Sequence, residues 1–202
     1  MRLTARNLTA ERGGETVFEN VSFVLAEGGA LVVTGPNGTG KSTLLKVVAG
    51  LLPAMRGTVE LDGNDPDQPS VAAICHYLGH QNAMKTALTV AENLAFWRGF
   101  LGVPAMEAED ALAAVGLPDI GHLPYAYLSA GQRRRVAIAR LLASHRPLWI
   151  LDEPTAGLDA ASERQFAALM QAHRANGGMV LAATHVPLGL EDAAELRMTP
   201  SS

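Results

Sequence analysis

The sequence predicts a single α/β domain, and three features of the chain support that class. An apolar β-type run from Ala30 to Thr34 leads into a glycine-rich loop, and helix-compatible residues follow the loop. A second, wholly apolar run from Leu148 to Leu151 has the composition of a central parallel strand. The chain has 202 residues, 48% of them hydrophobic, which is enough for one sizeable core. We therefore expect residues 1–202 to form one domain.

The first half of the chain reads mainly as strands. Alternating or apolar runs predict three short strands, at Leu3–Leu8, Val17–Leu25 and Thr58–Leu61. We expect them to form a small antiparallel lobe beside the glycine-rich loop. A helix is predicted over Leu44–Ala49, and Ile74–Leu78 reads as a buried strand.

The second half reads as helices with one more core strand. Thr89-Val90-Ala91-Glu92 has the pattern of a capping box and should open a helix that runs to about Phe100. The other elements predicted here are a helix over Ala105–Val115 closed by Gly116, a helix from Ser129 to about Ser144, a helix over Ala160–Ala175, and a last core strand at Met179–Thr184.

Composition excludes several classes of function. The net charge of −4 argues against a nucleic-acid partner. Cys75 is the single cysteine, so an intrachain disulfide is impossible and a reducing compartment is indicated. The residues after Met1 lack the apolar core of a secretory signal, and no run reaches the roughly 18 apolar residues of a bilayer span. We therefore expect any role at a membrane to depend on a partner chain.

The glycine-rich loop has the spacing of a phosphate-binding loop, G-x-x-x-x-G-K-[ST]. Its residues are Gly35, Pro36, Asn37, Gly38, Thr39, Gly40, Lys41, Ser42 and Thr43. The glycines let backbone N–H groups face phosphate oxygens, Lys41 can reach the β- and γ-phosphates, and the Ser42 hydroxyl can ligate Mg²⁺. A chance glycine-rich turn is the alternative, but the strand before the loop and the helix after it favour phosphate binding.

Two carboxylates, Asp152 and Glu153, follow the apolar strand directly. Ligands of open α/β sheets bind at the carboxyl ends of the strands, and buried acids are costly without a cation or a reacting water. Asp152 is therefore predicted to hold Mg²⁺ and Glu153 to polarise an attacking water. The alternative is a capping pair that opens the turn before Pro154.

A third motif, Leu128-Ser129-Ala130-Gly131-Gln132, lies at a predicted helix start. Free N–H groups and the Ser129 hydroxyl can form a second anion site there. By itself the motif fits an ordinary N-cap, so its meaning depends on its position between the phosphate loop and the paired carboxylates.

That order of motifs resembles the nucleotide-binding domains of ATP-binding cassette (ABC) proteins over nearly the whole chain. The resemblance implies a P-loop NTPase fold with a RecA-like core, a small antiparallel β lobe and a helical subdomain within about residues 82–147. It implies ATP and Mg²⁺ as ligands. It also assigns a Mg²⁺-binding and catalytic role to Gln81, a D-loop to Gly157-Leu158-Asp159 and a γ-phosphate contact to His185.

The resemblance further implies a head-to-tail homodimer. Each ATP would lie between the phosphate loop of one copy and Ser129, Gly131 and Gln132 of the other. Two positions depart from the family pattern: Ala130 replaces a glycine, and the expected adenine-stacking aromatic is missing near Arg12. An arginine guanidinium can stack on a base, so Arg12 is assigned to adenine, with Phe18 as the competing candidate.

Within the ABC proteins the chain resembles the ATP-binding subunits of the haem exporter of cytochrome c maturation. The resemblance lies in residues 78–94, 128–137 and 148–154. It implies a peripheral subunit on the cytoplasmic face of the bacterial inner membrane, working with CcmB-like membrane subunits and CcmC-like haem-handling proteins.

Four other functions stay open at this stage. They are the ATPase subunit of another ABC exporter, a soluble ABC ATPase of DNA repair or translation, a module that binds ATP without hydrolysing it, and a P-loop small-molecule kinase.

Three further groups of residues have both a structural and a functional interpretation. His76 and His80, with Cys75 and Met84 nearby, suggest haem ligation, but loop and core roles are favoured because Cys-x-x-Cys-His is absent. The three consecutive arginines 133–135 are interpreted as a solvated helix face with one intersubunit contact. Trp97 and Phe100 lie three residues apart, and core packing is favoured over a groove for a membrane partner.

Overall fold

The computed structural model describes residues 1–62 and 70–200, which form two β-sheets and associated helices. The strands are β1 (Arg2–Arg12), β2 (Glu15–Ala26), β3 (Ala30–Thr34), β4 (Arg56–Asp62), β5 (Cys75–Leu78), β6 (Leu148–Asp152), β7 (Met179–Ala183) and β8 (Ala194–Arg197). The helices are α1 (Lys41–Val48), α2 (Val71–Ile74), α3 (Val90–Leu101), α4 (Ala108–Ala114), α5 (Ala130–Ala143) and α6 (Ala160–Ala175).

The predicted antiparallel lobe is a three-stranded sheet in the order β2-β1-β4. β1 is longer than predicted, because its pairing with β2 continues beyond Leu8 to Arg12, which lies opposite Glu15. Leu3, Leu8 and Phe18 are buried in the core that this lobe shares with α1 and the main sheet. The long β1–β2 hairpin therefore places Arg12 at its turn.

The main sheet is parallel, in the order β5-β6-β7-β3-β8. Every residue of β6 and β7 is buried, as expected for strands covered on both faces. The carboxyl ends of β3, β6 and β7 therefore meet at one edge of the sheet. The α/β class is confirmed. The predicted last core strand, Met179–Thr184, is observed as the fully buried β7, one residue shorter, and the sequence did not predict the largely exposed edge strand β8, which pairs with β3.

The predicted capping box of Thr89 with Glu92 is present at α3, and the predicted N-cap Ser129 also forms a capping box, with Gln132, at α5. α4 begins at Ala108 rather than Ala105, because the backbone N–H of Ala105 bonds to the Ala143 carbonyl instead of starting a helix. The predicted strand Ile74–Leu78 is one residue too long, since Ile74 ends the short α2.

A second core lies where α3, α4 and α5 pack together and against the main sheet, with Leu94, Leu112 and Ile138 buried in it. The expectation that Trp97 and Phe100 pack in this core was wrong for Phe100, which is 71% exposed. Within residues 1–62 and 70–200, no helix combines the length and the apolar character needed to cross a bilayer.

Candidate active site

A cleft of about 860 Å³ lies at the carboxyl ends of β3 and β6, beside the β1–β2 hairpin. The residues that line it include most of the predicted site, namely Arg12, Asn37, Gly38, Gly40, Lys41, Ser42, Thr43, Asp152, Glu153 and His185. The fold therefore brings together motifs that are more than 100 residues apart in sequence. The parallel register of the sheet is the physical reason, because it directs all three strand ends to the same edge.

The phosphate loop wraps around the ammonium group of Lys41. Lys41 Nζ donates hydrogen bonds to the carbonyl oxygens of Gly35, at 2.7 Å, and Pro36, at 3.0 Å. Thr39 Oγ1 donates to the same Pro36 oxygen at 3.0 Å, which tightens the turn. Helix α1 begins at Lys41 without a side-chain cap, so its first N–H groups and its positive dipole end are available to an anion.

The Ser42 hydroxyl meets Asp152 across the cleft. Ser42 Oγ donates to Asp152 Oδ1 at 2.9 Å, and the Tyr77 hydroxyl donates to Asp152 Oδ2 at 3.4 Å. Asp152 is only 2% exposed. Burial, together with the Asp152 charge, raises the pKa of Tyr77, so the phenol stays protonated and remains a donor. A hydroxyl and a carboxylate oxygen at this spacing are the hard donors that Mg²⁺ prefers, so the residues fit that ion.

Glu153 and His185 form the second polar pair. His185 Nε2 lies 3.2 Å from Glu153 Oε1. The Glu153 backbone has φ 44°, in the left-handed region that residues with a Cβ rarely adopt, and its N–H donates to the Ala183 carbonyl of β7 at 2.9 Å. A carboxylate positioned this way can accept a proton from water, and the histidine can orient it.

Seven predicted site residues do not line this cleft, and three of them, Gly35, Pro36 and Thr39, belong to the phosphate loop around Lys41. Gln81 is exposed at the loop after β5, and its neighbour His80 lines the cleft instead. Ser129, Gly131 and Gln132 lie at the start of α5, where Ser129 Oγ accepts from the Gln132 N–H at 3.2 Å. Within one chain, the serine motif therefore contributes nothing to the walls of the cleft.

Arg12 lines the cleft together with Thr16, Val17 and Pro200. Phe18, the competing candidate for adenine, is 3% exposed and packs in the core of the lobe. Arg12 therefore remains the predicted base contact on the basis of position.

Sequence reasoning missed Arg134, which is 5% exposed. The expectation of a solvated face is wrong for this arginine, whose guanidinium donates to the carbonyl oxygens of Asp152 and Glu153. Arg133 and Arg135 instead bond to Ala126 and Gly116, away from the cleft. No local sequence pattern distinguishes the three arginines, because the carbonyl oxygens that accept their hydrogen bonds are brought close only by the tertiary fold.

His76 is a buried core residue. Its Nε2 lies 2.9 Å from the Ser144 carbonyl oxygen, and burial lowers its pKa to about 3, so the ring is neutral. This burial agrees with the core role that the sequence favoured for His76 over haem ligation.

A parallel sheet that directs a phosphate loop and two acids into one cleft, with a serine-capped helix start outside it, is the arrangement of an ABC-type ATPase. Residues 18–156 match the family described as ABC transporter. A Mesorhizobium japonicum protein described as "Cytochrome c biogenesis ATP-binding export protein CcmA" is 65% identical over 98% of each chain. A Chelativorans protein with the same description is 61% identical, again over 98% of each chain. The chain belongs to the ABC transporter family and, within it, to the CcmA group.

Solved structures agree on the fold. A putative ABC transporter ATP-binding protein from Pyrococcus furiosus superposes with a TM-score of 0.83 over 98% of each chain, at 22% identity. A dimeric ATP-binding cassette in a post-hydrolysis state with ADP and Pi gives a TM-score of 0.77 at 28% identity, covering 91% of this chain and 88% of that one. The chain is therefore an ABC-type ATPase.

Proposed function

We propose that this chain is the ATP-hydrolysing subunit of a haem exporter of cytochrome c biogenesis, whose cycle drives haem transfer or release of a haem-loaded chaperone. Relatives that are 65% and 61% identical carry names that assign them to cytochrome c biogenesis and export. The observation that carries the ATPase part is the meeting, in one cleft, of the Ser42–Asp152 hydrogen bond and the Glu153–His185 pair.

The residues of the cleft have distinct proposed roles. Lys41 would exchange its two carbonyl partners for the β- and γ-phosphate oxygens, while the N–H groups of the loop hold the same anion. Ser42 and Asp152, with Gln81, would hold Mg²⁺, which when bound neutralises charge on the phosphate oxygens. Glu153 would take the proton of the attacking water, and His185 would contact the γ-phosphate.

A second copy of the chain would complete each site. Ser129 and Gly131 lie outside the cleft of their own chain and at an exposed helix start, which supports a role in the cleft of another copy. The N–H groups of such a helix start suit a γ-phosphate. Arg12 would stack on adenine at the other end of the same nucleotide.

A membrane subunit would dock on an aromatic patch formed by Phe96, Trp97 and Phe100. The Phe96 and Phe100 rings are stacked with centroids 6.0 Å apart, and both side chains are exposed. Trp97 Nε1 donates to the Ala83 carbonyl at 2.8 Å, which ties the patch to the segment that follows Gln81. Exposed apolar patches of this kind mark interaction sites.

Docking at the aromatic patch would transmit the state of the ATP site to a CcmB-like subunit, with CcmC-like haem-handling proteins in the same complex. The chain would then lie peripherally on the cytoplasmic face of the bacterial inner membrane.

The chemical step is tested with Glu153→Gln in the full-length chain. Removing a positioned base should slow ATP turnover about 10²–10⁴-fold while ATP binding is kept. Glu109→Gln, an exposed change on α4, is the control and should leave turnover unchanged. Turnover of the Glu153 variant at the normal rate would remove this residue from the role of base.

The partner assignment is tested by affinity purification of the tagged chain from native membranes, followed by mass spectrometry. Recovery of haem-handling membrane subunits is the expected result. Recovery of an unrelated permease would instead identify another ABC exporter, and nucleic-acid-stimulated turnover would point to a non-transport ATPase.

A further inference from the structure

We propose that Arg134 is a positioning residue for ATP hydrolysis, whose guanidinium holds the strained backbone at Glu153 and ties it to the segment around Gln81. This inference rests on the proposed function, because Arg134 would act through the carboxylate that activates water.

Every N–H donor of the Arg134 side chain has an acceptor. A guanidinium carries five N–H donors in a fixed fork, and the structure supplies five acceptors. They are the carbonyl oxygens of Pro154 (2.8 Å), Gly79 (2.7 Å), Asp152 (3.2 Å) and Glu153 (2.7 Å), and Asn82 Oδ1 (3.3 Å). This buried cation therefore uses all its donors, on three consecutive carbonyls and on one neighbouring loop. It holds the two segments at a fixed distance from each other.

The hydrogen bond from Arg134 to the Glu153 carbonyl stabilises an unfavourable backbone conformation. Glu153 has φ 44°, a conformation that persists in residues with a Cβ only when the surroundings enforce it. Its N–H is held by Ala183 at 2.9 Å, and its carbonyl is held by Arg134. The peptide groups on both sides of the Glu153 Cα are therefore fixed, and the direction of the carboxylate toward His185 follows from them.

The charge of Arg134 adds a second effect. A guanidinium stays protonated in proteins, so a positive charge lies beside the two acids, within hydrogen-bond distance of their backbone oxygens. Its bonds go to the backbone oxygens of Asp152 and Glu153, while the carboxylate oxygens contact Ser42 and His185. It therefore supports the carboxylates without occupying their oxygens.

The loop bonds extend this support to the predicted metal ligand. Gly79 and Asn82, both bonded to Arg134, stand on either side of His80 and Gln81 in the sequence. A single side chain of α5 therefore contacts the residues on both sides of His80 and Gln81, through the Gly79 carbonyl and the Asn82 side chain. Among the described residues, the next arginine on α5, Arg135, donates instead to the distant Gly116 carbonyl.

The test compares Arg134→Gln and Arg134→Lys with Arg135→Gln in the full-length chain. Loss of alignment should lower kcat for ATP up to about 10²-fold in Arg134→Gln, with the Kd for ATP within about threefold. Arg134→Lys keeps the charge but has three donors in place of five, so we expect a smaller loss of kcat. Arg135→Gln should leave kcat unchanged.

Combining Arg134→Gln with Glu153→Gln separates positioning from a general structural role. If Arg134 acts through Glu153, the double variant hydrolyses ATP no more slowly than Glu153→Gln alone. Multiplied losses, or an Arg134→Gln enzyme with normal kcat, would overturn the inference. Should Arg134→Gln fail to fold, the same comparison is made with Arg134→Lys. A normal rate for Glu153→Gln would instead contradict the proposed function itself.

Discussion

Replacing Gly40 with alanine should destabilise the protein more than the same change at Gly38, although both glycines lie in the phosphate loop. Both have positive φ, 88° at Gly40 and 85° at Gly38. A Cβ on Gly40 would lie 2.6 Å from Val17 Cγ1 and 3.1 Å from Phe18 Cδ1, whereas a Cβ on Gly38 meets nothing within 4 Å. The pair therefore separates the cost of the backbone conformation from the cost of crowding against the lobe.

The magnitudes follow from these two terms. The left-handed conformation costs a residue with a Cβ roughly 1–2 kcal/mol, and this term applies to both variants. Crowding against Val17 adds about 1–3 kcal/mol at Gly40 alone, as overpacking in a well-packed core does. We expect Gly38→Ala to show only the first term and Gly40→Ala to show their sum.

Urea unfolding without nucleotide is the assay, because ATP would add its own stabilisation to the native state. Trp149 is buried at 3% exposure and its fluorescence reports loss of the core. The double variant Val17→Ala with Gly40→Ala removes the crowded Cγ1 but leaves Phe18 Cδ1, so it should recover the part of the crowding term that Val17 causes, relative to the sum of the single changes. Equal losses of stability in Gly38→Ala and Gly40→Ala would show that packing of the lobe against the loop does not constrain Gly40.

Three further outcomes test other parts of the molecule. Ser42→Ala, which removes the hydroxyl bonded to Asp152, should raise the Mg²⁺ concentration for half-maximal ATP turnover about tenfold or more, and chelation of Mg²⁺ should abolish turnover in the unmodified chain. Burial lowers the pKa of His76 to about 3 from 6.5, so the unfolded chain takes up the proton first. Stability in urea should therefore fall as pH drops from about 6.5 toward 3, and His76→Gln should flatten that dependence. Changing Phe96 and Phe100 together to alanine should abolish recovery of membrane subunits while the ATPase rate of the isolated chain is unchanged, because both side chains are exposed.

The parts of the fold that the sequence predicted well are those set by local patterns. The capping box at Thr89 and the N-cap at Ser129 need only residues within one helical turn, and both are present. The apolar run 148–151 of β6 could be assigned because a strand buried on both faces has no polar alternation. The proximity of Ser42 and Asp152 could also be predicted, because both follow parallel strands whose carboxyl ends lie at one edge of the sheet.

The elements that escaped prediction depend on distant partners. β8 is a four-residue segment containing Glu195 and Arg197, and it becomes a strand only because the free edge of β3 accepts it. The exposure of Phe100 likewise depends on where α3 lies relative to the second core, which periodicity does not reveal. Burial of Arg134 depends on carbonyl oxygens from two remote segments.

The position of Gln81 illustrates how these distant contacts bear on function. The sequence placed this glutamine in a loop after β5, and the structure agrees, yet the neighbouring His80 lines the cleft. The Gly79 carbonyl and the Asn82 side chain are both bonded to Arg134, and only His80 and Gln81 lie between them. Bringing Gln81 to a metal beside Ser42 would therefore either rotate this short span or break bonds to Arg134. In the second case the same guanidinium would also loosen its hold on the Glu153 carbonyl. Movement of the loop and alignment of the base would then be linked through one side chain.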